Sequence, residues 1–85
     1  MKIEKKVWPE YFEKILNKEK NFELRLADFE CKKDDILVLK EWDPKNKQYT
    51  GRIIEKEIKY VLKTKDVKFW SKEEMDKYGF QIISF

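Results

Sequence analysis

Three charged side chains in one short stretch of the chain form a pattern suited to holding a phosphate or the edge of a base. Lys20, Glu23 and Arg25 lie within residues 20–26, where apolar residues fall at alternate positions. Because side chains alternate across a strand, Glu23 and Arg25 are predicted to project together from the face opposite a core. Lys20 precedes this predicted strand, at a turn that can bring its ammonium group toward the pair.

Arginine is scarce in this chain, which adds weight to Arg25. Of the 20 basic residues, 18 are lysines, and the two arginines are Arg25 and Arg52. A guanidinium is a planar, bidentate donor that lysine cannot replace, so we expect arginine where that geometry is needed. The alternative is a surface ion pair between neighbouring strands, which stabilises a fold by at most about 1 kcal/mol. The residues alone leave both interpretations open.

Length and composition limit the architecture. With 85 residues, 41% of them hydrophobic, the chain can build one small core, and we expect a single domain over residues 1–85. The 20 basic residues nearly balance the 17 acidic ones, so the net charge of +3 permits an anionic partner without requiring one. We find no apolar run of membrane-spanning length and no signal peptide, and we expect a soluble, cytoplasmic protein with no membrane partner. The oligomeric state is left open.

The chain has no histidine and a single cysteine, Cys31, which limits its chemistry. An internal disulfide, Cys/His metal sites and histidine-based acid–base catalysis are therefore excluded. Cys31 lacks the usual base that would activate its thiol, so we interpret it as structural. We expect no cofactor and no bound metal, and any catalysis would have to use lysine, acidic or hydroxyl side chains, or water.

The first clear element is a short helix of about ten residues. Pro9 suits its first turn and Asn17 its end, and its apolar face comprises Trp8, Phe12, Ile15 and Leu16. A strand is predicted at residues 22–26, within the charged stretch. Residues 36–39 are apolar on both sides, which predicts a buried central strand.

Turn-forming residues at 43–51 predict a loop that connects a hairpin, in which Gly51 is free to take a positive φ. Beyond the loop, apolar and charged residues alternate over residues 54–62, which is typical of a strand with one solvent-exposed face. Lys56 breaks this alternation, which favours a bulge or a barrel rim there.

The end of the chain predicts a second helix and a last strand. Ser71 and Glu74 form a capping box, and Gly79 ends the helix. Residues 80–85 have the pattern of a closing strand. The order is therefore β-α-β-β-β-α-β, and we predict an α+β fold, a small, mostly antiparallel β-barrel with two short helices.

Three segments resemble the ASCH domains of the PUA superfamily, and the chain is most similar to the DUF3850 group among them. After the helix that begins at Pro9, residues 18–25 resemble the family motif Gly-x-Lys-x-x-Glu-x-Arg. Residues 35–39 resemble the family's Gly-Asp and apolar strand, and residues 41–52 its hairpin. The resemblance implies a PUA-like barrel with a cleft between the first helix and the motif strand. It also implies a role in binding RNA or modified nucleosides.

The sequence departs from the family pattern at two glycines. Lys18 replaces the motif glycine and Asp34 the glycine of Gly-Asp. A left-handed backbone strains a residue that has a side chain, so we expect Asn17 to supply the tight turn instead. Some ASCH-like proteins are amidohydrolases that use a lysine and a threonine of this motif. Lys20 matches the lysine, but Glu23 stands at the threonine position and cannot replace a hydroxyl in the same step.

We therefore expect a module that binds RNA or a modified nucleotide, in which Lys20 and Arg25 hold a phosphate or a base edge. Glu23 would orient Arg25, and aromatic residues near the hairpin would stack on bases. The candidate binding residues are Lys20, Glu23, Arg25, Trp42, Tyr49 and Arg52. For the last three, packing or an ion pair is the alternative. Other hypotheses are a small hydrolase of modified nucleosides, a metal-dependent ribonuclease, and a protein-interaction module of a phage or mobile element.

Overall fold

A computed structural model of the chain describes residues 1–66 and 68–78, and these residues form an α+β fold as predicted. The elements, in chain order, are β1 (Lys2–Val7), α1 (Pro9–Leu16), β2 (Ile36–Asp43), β3 (Gln48–Glu57), a 3-10 turn (Thr64–Asp66) and α2 (Lys72–Tyr78). The capping box predicted for the second helix is present, because the Glu74 amide donates to Ser71 Oγ at 3.1 Å and the Ser71 amide donates to Glu74 Oε1 at 3.2 Å. The predicted strand at residues 80–85 and the helix end at Gly79 lie outside the described residues.

The sheet of the described residues is open and mixed, and the expected, mostly antiparallel barrel is not seen among them. Its order is β1-β2-β3. β1 runs parallel to β2, with Lys2 opposite Ile36, and β3 runs antiparallel to β2. The parallel pair is possible because residues 8–35 include α1 and form the long crossover that two parallel strands need.

The prediction of a strand at residues 22–26 is wrong, because this segment has no regular secondary structure. Leu24 and Leu26, which were expected in the core, are 69% and 79% exposed. The segment contacts β1 through a side chain, since the Arg25 guanidinium donates to the carbonyl of Lys6. A strand needs a ladder of backbone hydrogen bonds, and alternation of apolar residues does not supply one.

The core lies between α1 and the sheet. Val7, Phe12, Ile15 and Leu39 are buried there, and Leu37 and Ile54 pack against them. Burying each of the larger side chains contributes about 1.5–3 kcal/mol. Trp8 and Leu16 were predicted on the buried face of α1, but they are 52% and 47% exposed. A helix of eight residues presents only a narrow stripe to the core, and Phe12 and Ile15 fill that stripe.

The hairpin is tighter than predicted and its irregularity lies elsewhere. β2 continues to Asp43 and β3 begins at Gln48, so the loop shrinks to residues 44–47, and β3 ends at Glu57 instead of residue 62. Lys56 pairs regularly with Leu37. The register shifts instead opposite Glu41, where residues 50–52 of β3 face one residue of β2. Gly51, with a φ of 95°, provides the backbone that this bulge needs.

Candidate functional site

The turn after α1 sets the position of the charged motif. Lys18 itself adopts a left-handed φ of 65°, whereas Asn17, the residue expected to do so, has a φ of −87°. Asn17 Oδ1 instead accepts a hydrogen bond from the Glu19 amide at 3.1 Å, and the Lys20 amide donates to the Lys14 carbonyl at 2.9 Å. The chain therefore folds back on the end of α1, and Lys20 begins the next segment close to the helix.

Glu23 holds both cations of the motif. Lys20 Nζ donates to Glu23 Oε1 at 2.6 Å, and Arg25 Nε donates to Glu23 Oε2 at 2.9 Å. The side chains of Lys20, Glu23 and Arg25 are 15%, 13% and 31% exposed, so the cluster is largely covered. The structure thus brings together the three residues that the sequence singled out, although an irregular segment carries them. Because both carboxylate oxygens are occupied, Glu23 positions its neighbours.

Arg25 is fixed at the edge of the sheet. Its Nε donates to Glu23 and its Nη2 to the carbonyl of Lys6 in β1. Two acceptors in different segments orient the guanidinium plane. Within residues 1–66 and 68–78, these hydrogen bonds leave Nη1 free to donate to a ligand.

Trp42 and Tyr49 form a pair across the hairpin, next to Arg25. Their ring centroids are 5.0 Å apart and the planes meet at 78°, an edge-to-face contact. Lys6 Nζ lies 3.8 Å from the centroid of the Trp42 ring, and Lys40 Nζ lies 5.6 Å from that of Tyr49. Trp42 is partly buried, whereas Tyr49 is 49% exposed and is the more accessible ring of the pair.

A shallow cleft of about 360 Å³, which we name the Arg25 cleft, is lined by Glu4, Lys5, Lys6, Arg25, Lys40 and Tyr49. It therefore has four cationic side chains and one acidic one. Glu4 lies 3.1 Å from Lys40 Nζ, so part of this positive charge is paired. The arrangement suits an anionic ligand that also carries an aromatic ring.

Sequence reasoning missed Lys6 and Lys40, although they occupy the centre of the cleft. The two residues face each other in the parallel register of β1 and β2. Nothing in the sequence pairs two strands separated by a helix and a long irregular segment, so no signal in the sequence brought Lys6 and Lys40 together.

Arg52 lies away from the Arg25 cleft, on the side of the sheet that α1 covers. Its Nε and Nη2 donate to the two oxygens of the buried Glu41 at 2.9 and 2.7 Å, and Nη2 also donates to Glu13 of α1. Thr50 Oγ1 donates to Glu41 at 2.6 Å, and the guanidinium carbon lies 4.9 Å from the Phe12 ring. Arg52 thus ties the hairpin to α1, and the structure does not bring it together with the other candidate residues.

The Glu41 network is strongly electrostatic. The hydrogen bond from Arg52 is the main cause that lowers the pKa of Glu41, and it outweighs the opposing effect of burial. The same hydrogen bond, with that to Glu13, raises the pKa of Arg52. Glu41 therefore stays ionised in the fold at neutral pH and fixes the bulge of the hairpin.

Two observations bear on the hydrolase and ribonuclease hypotheses. The Lys20 ammonium is engaged with Glu23, so use of Lys20 as a general base would require breaking that pair. Over the described ranges, no three cysteine or acidic side chains come close enough together to hold a metal ion.

Neither α1 nor α2, nor any other helix in the described part of the chain, has the length and hydropathy of a membrane span.

Comparison with known families identified a match over most of the chain. The model of DUF3850, a domain of unknown function, matches residues 3–75, which include both halves of the Arg25 cleft. No curated protein and no solved structure showed significant similarity to the chain.

Proposed function

We propose that this chain, which belongs to the DUF3850 family, is an RNA-binding module of the ASCH type within the PUA-like superfamily. Its ligand is single-stranded or unpaired RNA, and one nucleotide occupies the Arg25 cleft. The observation that carries the proposal is the position of the oriented Arg25 guanidinium beside Lys6, Lys40 and the exposed ring of Tyr49.

Each part of the cleft matches one part of a nucleotide. Arg25 Nη1 and the ammonium groups of Lys6 and Lys40 are suited to phosphate oxygens. The open ring of Tyr49 is suited to stacking on a base, which contributes about 1–3 kcal/mol and tolerates many sequences. Trp42 supports Tyr49 from the side, and Glu23 supports Arg25.

Unpaired RNA fits this site better than a duplex does. A base can stack on Tyr49 only if it has left its own helical stack, which unpaired nucleotides do at low cost. The cleft is shallow and about 360 Å³ in volume, enough for one nucleotide unit and not for a helix. The net charge of +3 is also modest for a protein that wraps a duplex.

The test is a titration of labelled single-stranded RNA, structured RNA and duplex DNA at two salt concentrations. Arg25→Ala should weaken binding of single-stranded RNA at least about tenfold, because it removes charge-assisted hydrogen bonds. Arg25→Lys should recover only part of this affinity, because an ammonium group lacks the planar fork that bonds Glu23 and the Lys6 carbonyl and still directs a third nitrogen at the ligand. Lys72→Gln, which removes one charge from the exposed face of α2, is the matched control.

Two outcomes would contradict the proposal. If wild type and Arg25→Ala bind RNA with equal affinity, RNA does not bind in the Arg25 cleft. If Arg52→Lys is the one variant that loses affinity, the RNA site lies on the α1 side of the sheet. Thermal unfolding of each variant, followed by circular dichroism, separates lost binding from lost fold. The nucleoside hydrolase, metal-dependent ribonuclease and protein-interaction hypotheses stay predictions, and we would turn to them if no nucleic acid bound.

A further inference from the structure

A second basic pocket lies outside the charged motif of Lys20, Glu23 and Arg25 and outside the Arg25 cleft. It has a volume of about 410 Å³. Its lining includes Cys31, Tyr60 and four lysines, which are Lys32, Lys33, Lys59 and Lys63. Two carboxylates neutralise part of this charge, since Lys59 lies 3.2 Å from Glu57 and Lys63 lies 3.3 Å from Glu30. Lys32 and Lys33 have no ion-pair partner among the residues that the structure describes.

Backbone hydrogen bonds hold the two sides of this pocket together. The Asp34 amide donates to the Ile58 carbonyl at 2.9 Å, and the Ile58 amide donates to the Asp35 carbonyl at 2.8 Å. Asp35 is buried, and its Oδ2 accepts a hydrogen bond from the Lys32 amide at 3.1 Å. The turn that carries Lys32 and Lys33 is therefore fixed against the end of β3, next to Lys59.

The charge of this pocket is only partly neutralised. Lys59 and Lys63 are paired with carboxylates, whereas Lys32 and Lys33 are not within the described residues, and these two ammonium groups repel each other. An anion with several oxygens relieves that repulsion, and an open pocket rich in lysine suits the phosphates of a flexible chain better than a small enclosed ligand.

We propose that this pocket, which we name the Lys33 pocket, binds the phosphate backbone of the same RNA strand whose nucleotide occupies the Arg25 cleft. The inference rests on the function proposed above. One chain segment connects the two places, because Arg25 lines the cleft and Lys32 the pocket, seven residues further along. Their backbones are thus at most about 25 Å apart, a span that a short single strand can cover.

The surface between the two places supports a continuous path. Lys5 lines the Arg25 cleft, and its Nζ lies 3.6 Å from the centroid of the Phe29 ring, midway along the connecting segment. Glu30, at the far end of this path, is paired with Lys63. The strand therefore meets cations at both ends, and the partly buried Phe29 and the exposed Asp28 lie between them.

Cys31 provides a direct test, because it is the single cysteine of the chain, lines the Lys33 pocket and is partly exposed. We would measure its rate of alkylation by iodoacetamide in the wild-type protein. A single-stranded RNA of about 12 nucleotides, within the range of known single-strand sites, should slow alkylation severalfold. A saturating mononucleotide, which fills only the Arg25 cleft, should leave the rate unchanged. An unchanged rate with bound RNA would overturn the proposal.

Salt dependence gives a second, quantitative test. Each phosphate contact to a single strand contributes about 0.7 to the slope of log K against log salt concentration. The double variant Lys32→Gln/Lys33→Gln should therefore lower the slope for the long RNA by about 1.4 and weaken its binding at low salt. Lys72→Gln/Lys77→Gln removes the same charge from α2, whose residues line neither place, and should keep the wild-type slope.

The two proposals fail in different ways. If Arg25→Ala loses RNA while Lys32→Gln/Lys33→Gln keeps the wild-type slope, the RNA-binding function stands and the Lys33 pocket is rejected. If the wild type binds no RNA, both are rejected. Both lysines are exposed, and only the backbone amide of Lys32 contacts Asp35, so the double variant should retain the thermal stability of the wild type.

Discussion

At the scale of single residues, two carboxylates determine what the two arginines can do. Glu23 accepts hydrogen bonds from Lys20 and Arg25, and it aims Arg25 at the Arg25 cleft. Glu41 accepts from Arg52 on both oxygens and holds it on the α1 side of the sheet. A glutamate–arginine pair thus orients Arg25 at a candidate ligand site, whereas a second such pair, Glu41 with Arg52, holds the hairpin against α1.

We predict that Glu23→Gln lowers the free energy of unfolding by about 1–2 kcal/mol, because the amide carries no charge and has one acceptor oxygen, so its NH2 group faces one of the two cations and that hydrogen bond is lost. Its effect on RNA affinity should be smaller than that of Arg25→Ala, since Arg25 keeps its bond to the Lys6 carbonyl. Urea denaturation and RNA titration measure the two effects. A variant as stable as the wild type would show that the pairs around Glu23 make no net contribution.

We predict that the fold loses stability in acid partly through Glu41. Its pKa is below the ordinary value of 4.5 in the fold, so the ionised form stabilises the folded state above that pH. This stabilisation is lost as the pH falls through the lowered pKa. Glu41→Gln should therefore be less stable than wild type at pH 7, and the difference should shrink between pH 5 and pH 2.

Urea titrations across this pH range measure that difference. The comparison with Glu41→Gln is needed because hydrogen bonds also lower the pKa of Asp43, through Asn46 and Lys45, and that group titrates in the same window. A difference in stability that stays constant with pH would contradict the role assigned to Glu41.

At the scale of elements, the turns around the motif are more strained than the helices and strands they connect. Lys18 stands at the glycine position of the Gly-x-Lys-x-x-Glu-x-Arg motif, and Asp34 stands at the glycine position of Gly-Asp. Both residues take a positive φ, of 65° and 78° respectively. The backbone thus keeps the conformation of those turns although the side chains disfavour it. Hydrogen bonds on both sides, from Lys20 back to α1 and from Asp34 to Ile58, hold the two residues in place.

We predict that Lys18→Gly stabilises the protein by about 0.5–1 kcal/mol. Glycine removes about 1–2 kcal/mol of left-handed strain and costs about 0.5–1 kcal/mol in the entropy of the unfolded chain. Asn17→Gly is the matched control, since Asn17 has a φ of −87° and accepts a hydrogen bond from Glu19. It should lower stability, as measured by urea denaturation. A loss of stability in Lys18→Gly would show that the lysine side chain contributes more than its strain costs.

At the scale of the whole molecule, the modest net charge of +3 conceals an uneven distribution. Basic side chains gather in the Arg25 cleft and the Lys33 pocket, which residues 25–32 of the irregular segment after α1 connect. Carboxylates are used to orient or neutralise individual cations, as Glu4 does for Lys40 and Glu30 for Lys63. A polyanion would thus meet a track of positive charge on a protein that is nearly neutral overall.

Local patterns in the sequence determined the elements that depend on nearby residues. Pro9 and Asn17 bound α1 as predicted, residues 36–39 lie in the central strand, and Ser71 with Glu74 caps α2. The meeting of Lys20, Glu23 and Arg25 was also predictable, because the three are close in the chain and opposite in charge. Each of these features depends on interactions between residues that are a few positions apart.

Only the tertiary structure decided which distant residues share a surface. The parallel register of β1 and β2 brings Lys6 opposite Lys40, the bulge opposite Glu41 directs Arg52 to α1, and residues 22–26 lack the backbone partners of a strand. Such contacts depend on how a long crossover folds back, and loop closure leaves no periodic trace in the sequence. The sequence therefore identified the charged motif, while tertiary packing selected Arg25, Lys6, Lys40 and Tyr49 as one cleft.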